Sequence, residues 1–176
     1  MDTELDPQGI MQIAEEIEYR RIRLYQRVAS LCADAGACDL CRELLAWSRQ
    51  QVSHLTGLEA RWRAGAPPQE TACGSAALVS DARVMAALAF FVAESATHDL
   101  PAAVTREWML TDAVGRSRQA IVFYQGLKAF ARDRLAQEVM SEILQQEDDH
   151  LHRMLVELEP YRQARHRGGQ YLACVC

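Results

Sequence analysis

The chain has 176 residues, of which 19 are Lys or Arg and 24 are Asp or Glu, giving a formal net charge of −5, and 49% are hydrophobic. That is enough for one domain with a full core, and the acidic balance argues against a broad nucleic-acid surface. The most apolar run, VMAALAFFVA from Val84 to Ala93, is too short to span a bilayer; the acidic opening MDTELDPQGI lacks the order of a signal peptide, so a cytoplasmic location without membrane contact is expected.

Asp6-Pro7 reads as a helix start, a capping side chain followed by proline in the first turn. Apolar residues at Ile10, Ile13, Ile17, Leu24, Val28 and Leu31 carry this first helix to about Ala35-Gly36. A second helix is expected from about Cys38 to Ala64. Its stripe is Leu40, Leu44, Trp47, Gln51, His54, Leu58 and Trp62, and Gly65 with Pro67-Pro68 stops it. The short connection makes the two helices antiparallel neighbours.

After the break AGAPPQETACGS, an apolar helix is expected over about 76–97, closed by Leu100-Pro101. A third long helix follows, about Ala102 to Phe130, with Leu110, Val114, Ser117, Ile121, Tyr124 and Leu127 on one face. The fourth is expected from near Arg134 to Leu158, with Met140, Ile143, Glu147, His150 and Met154 facing inward. Residues 161–176, with Gly168-Gly169, read as a flexible tail. The expectation is an all-α domain over residues 1–160: two antiparallel helical hairpins joined by a long crossover that contains a shorter helix.

Six cysteines in a chain without an export signal are expected to be reduced thiols. Cys38-Asp-Leu-Cys41 falls where the second helix opens. Small residues at a helix end and a redox pair are both open readings of this motif.

Residues 22–26 read IRLYQ and residues 121–125 read IVFYQ, 99 positions apart, which superposes the first long helix on the third. Glu18 precedes Tyr25 by two helical turns, Ser117 holds the matching place before Tyr124, and Gln51 and Glu147 stand three residues before His54 and His150. The inner polar set is therefore Glu18, Gln51, His54, Ser117, Glu147 and His150, drawn from all four long helices.

With its EYRRIRLY, its Gln-x-x-His and Glu-x-x-His steps, and its FYQGL followed by QEDDHL, the chain resembles the rubrerythrin branch of the ferritin-like di-iron carboxylate superfamily over about residues 10–158. The resemblance implies a ferritin-like four-helix bundle holding one or two iron ions, with manganese or zinc as substitutes. The implied metal ligands are Glu18, His54, Glu147, His150 and, weakly, Gln51. It also implies non-haem iron chemistry, oxidation of Fe(II) by peroxide or O₂, and a homodimer with the apolar region around Phe90-Phe91 as its surface. The chain departs from the pattern at Gln51 and Ser117, where the family carries glutamates, and at Ala120.

A second reading needs no metal. Two buried carboxylates cost several kcal/mol each unless they meet a cation, and Arg21, three residues from Glu18, and Arg118, beside Ser117, can supply one. The bundle would then be a structural or protein-binding module.

Overall fold

The computed structural model describes residues 7–65, 100–128 and 134–173. Among these residues the chain is all-helical, with four helices: α1 (Pro7–Ala29), α2 (Ala35–Gly65), α3 (Arg106–Lys128) and α4 (Arg134–Ala173). The helix expected over about 76–97 and the Phe90-Phe91 surface lie outside the described residues.

Side-chain contacts fix the directions. The Cys41 Sγ reaches the Tyr25 carbonyl at 3.2 Å and the Thr56 hydroxyl lies 3.3 Å from Glu15 Oε1, so α1 and α2 are antiparallel. Lys128 donates to Ser141 Oγ at 2.9 Å and Arg106 to Glu157, which makes α3 and α4 antiparallel as well. Arg106 also donates to the Gly36 carbonyl at 3.0 Å. The first turns of α2 and α3 therefore share one end of the bundle, and these two helices run parallel.

The helix starts obey local chemistry. Asp34 caps α2 by accepting from the Ala37 N–H at 2.7 Å, so Gly36 lies inside the second helix instead of closing the first. The cap needs room: a Cβ on Gly36 would stand 3.2 Å from Asp34 Oδ1. Helix α1 ends at Ala29, and the turn after it makes a two-residue bridge, Cys32 with Val104. Thr105 caps α3, its hydroxyl accepting from the Trp108 N–H at 3.2 Å, which moves the start of that helix from the expected Ala102 to Arg106.

Helix α4 passes Leu158 and Pro160 and continues to Ala173, into the segment expected to be a flexible tail. Contacts with the start of α3 bracket the proline: Glu157 pairs with Arg106 and Arg165 with Glu107, while Tyr161 packs on the core.

The core divides into two apolar clusters. One holds Ile10, Ile13, Ile17, Leu55, Leu58, Tyr124, Leu127, Met140 and Ile143; the other holds Leu24, Val28, Leu40, Leu44, Met109, Leu110, Val114, Met154 and Leu158. Each buried aliphatic or aromatic side chain contributes roughly 1.5–3 kcal/mol relative to exposure. Between the clusters every helix contributes polar side chains at the same height, and this layer contains the buried Glu18, Arg21, Ser48, Arg116, Ser117, Glu147 and His150.

Candidate functional site

The expected stripes of α1, α3 and α4 are the buried ones, so Glu18, Ser117, Glu147 and His150 reach the polar layer as their spacing requires. Helix α2 differs. The expected Leu40, Leu44 and Leu58 are buried, but between them the buried positions are Cys41, Ser48 and Leu55, displaced by one residue from Trp47, Gln51 and His54. Small side chains on that face let α2 approach α1 closely enough for the Cys41 thiol to reach a backbone carbonyl. Gln51 and His54 are consequently only half-buried, at the edge of the layer.

Arg21 is the centre of the site. Its side chain is 4% exposed. Nη1 donates to Glu18 Oε1 at 2.7 Å and to Glu147 Oε1 at 2.5 Å, and Nη2 donates to Glu147 Oε2 at 3.1 Å. The grip on Glu147 is bidentate, the geometry in which a guanidinium binds a carboxylate most strongly. The Arg21 Cζ lies 5.4 Å from the centroid of the Trp47 ring, within cation–π range. On the same indole the His150 imidazole stacks at 3.7 Å between centroids and 7° between planes.

Burial pushes the Glu18 carboxyl up to about 7; Arg21 opposes this and the Glu147 charge adds to it. Ser48 lies near enough to favour the ionised form, yet neither Glu18 Oε2 nor Ser48 Oγ completes a hydrogen bond. A protonated Glu18 would answer both vacancies, Oε2–H donating to the serine oxygen. Burial, then the positive charges of Arg21 and Arg153, push His150 down to about 3, so its ring is neutral at ordinary pH. Burial also drives the Tyr25 and Tyr124 phenols well above their usual range.

His54 points to a different set of partners. Its Nε2 lies 2.9 Å from Glu142 Oε1 and 3.0 Å from the Gln146 amide. That nitrogen is committed to α4 at the edge of the layer and not to Glu18 or Glu147. Among the described residues, no three His, Cys, Asp or Glu side chains gather as a metal ion requires. A divalent ion shared by Glu18 and Glu147 would have to enter where a guanidinium already binds both carboxylates. In this arrangement the residues do not fit a metal ion.

Trp47 and Ser48 stand outside the inner polar set expected from spacing, whereas Arg21 is the cation of the metal-free reading. Arg21 was readable: the series Ile10, Ala14, Ile17, Arg21, Leu24 and Val28 alternates steps of four and three, which places the arginine on the core stripe. Ser48 occupies the equivalent place on the true stripe of α2. Trp47 carries no such signal, because its role depends on what His150 and Arg21 do across the bundle.

Compared with known proteins, the chain matches no family model, no curated protein and no solved structure.

Proposed function

We propose that the protein is a metal-free helical bundle of ferritin-like arrangement that serves as a structural or protein-binding module. An arginine–carboxylate network occupies the place where the rubrerythrin-like reading puts iron. The observation that carries this is Arg21: a permanently charged guanidinium, buried between Glu18 and Glu147, already supplies the positive charge that two buried carboxylates need. Gln51 and Ser117, where the resemblance calls for glutamates, accord with it, since one cation balances fewer acids than two metal ions would.

The test is metal content per chain after anaerobic loading with Fe(II) and desalting, with Glu147→Ala as control. No retained metal in either protein, and a melting temperature unmoved by chelator, is the expected result. One or two ions in the wild type, lost in the variant, would restore the iron-binding oxidoreductase reading, because a metal bound only by the folded chain must also raise its stability.

A further inference from the structure

We draw no further inference here: the strongest candidate, the cluster of His54, Glu142 and Gln146 at the edge of the polar layer between α2 and α4, belongs to the site already described and, among the described residues, gathers too few metal-ligating side chains to hold an ion.

Discussion

Arg21 and Glu147 stand 126 positions apart in sequence and are joined by two hydrogen bonds across the interior, Nη1 to Oε1 and Nη2 to Oε2. The pair links the first helical hairpin to the second at the height where the apolar core is interrupted. Its contribution lies in the penalty for breaking it: removing one member of a buried ion pair costs roughly 3–5 kcal/mol, because the other is left charged and dry. Replacing all members by apolar side chains of similar volume is often neutral. Arg21→Met should therefore cost about 3–5 kcal/mol in urea unfolding. The triple replacement Glu18→Leu, Arg21→Met, Glu147→Leu should recover most of that loss. If Arg21→Met alone stays within about 1 kcal/mol of the wild type, the guanidinium is not buried between the two carboxylates in solution.

The site should also shape stability against pH, through two opposing groups. Glu18, ordinarily near 4.5, is raised to about 7 in the folded chain. The native state then holds the extra proton between these values, and this contribution is full below pH 4.5 and lost as pH rises through 7. His150, ordinarily near 6.5, is lowered to about 3. Its contribution is full above pH 6.5 and lost as pH falls toward 3. From pH 4.5 to 6.5 the two slopes have opposite sign and similar size, up to about 1.4 kcal/mol per pH unit, so the wild type should be nearly flat there. His150→Phe, which retains an aromatic face for Trp47, should uncover stability that falls with rising pH. Glu18→Gln should uncover the reverse. Flat profiles in both variants would mean that neither group has a shifted proton affinity.

The sequence made the layer legible but not its chemistry. Glu18, Ser117, Glu147 and His150 interrupt apolar stripes whose periodicity is strong, so their burial follows from spacing alone. The face of α2 followed at Leu40, Leu44 and Leu58 but not between them. Trp47, Gln51 and His54 keep the same three-four spacing as Leu44, Ser48, Leu55 and Leu58, and only packing against α1 chooses between two stripes one residue apart. Carboxylates and imidazoles at this spacing suit a metal or an arginine equally well. In the structure the cation beside them is Arg21, a long side chain on the core stripe of α1 that reaches across the interior to α4. Such a contact joins residues distant in sequence, and no local pattern announces it. The helix ends failed for a simpler reason: Asp34 and Thr105 cap the helices that follow them, and the glycine after Asp34 read as a stop.

Those caps give a direct check on the fold's two junctions. Asp34 supplies an acceptor to the second helix where the chain has just left the first, and losing an N-cap acceptor costs about 1 kcal/mol. Asp34→Ala should lower stability by that amount, whereas Asp34→Ser should lose only a few tenths. Thr105→Ala should cost a similar amount at the start of α3. A larger loss for Asp34→Ser than for Asp34→Ala, read by thermal unfolding, would show that the side chain does not act as a cap.

Pro160 stands inside α4 and withholds an N–H from the Val156 carbonyl, four residues earlier. A proline in a helix interior costs about 3 kcal/mol relative to alanine, and part of that is returned because proline also restricts the unfolded chain, by up to about 1 kcal/mol. The helix continues because Tyr161 packs against the core and Arg106 and Glu107 pair with Glu157 and Arg165 on either side of the break. The ion pairs lie largely at the surface, where such contacts contribute little, so the tyrosine carries most of the compensation. Pro160→Ala should then raise stability by about 2 kcal/mol and slow amide exchange at residues 160–165. Tyr161→Ala should lose part of that protection without disturbing the network around Arg21. If Pro160→Ala leaves both stability and exchange unchanged, the helix in solution stops at the proline, and the segment to Ala173 is the tail that its two glycines suggest.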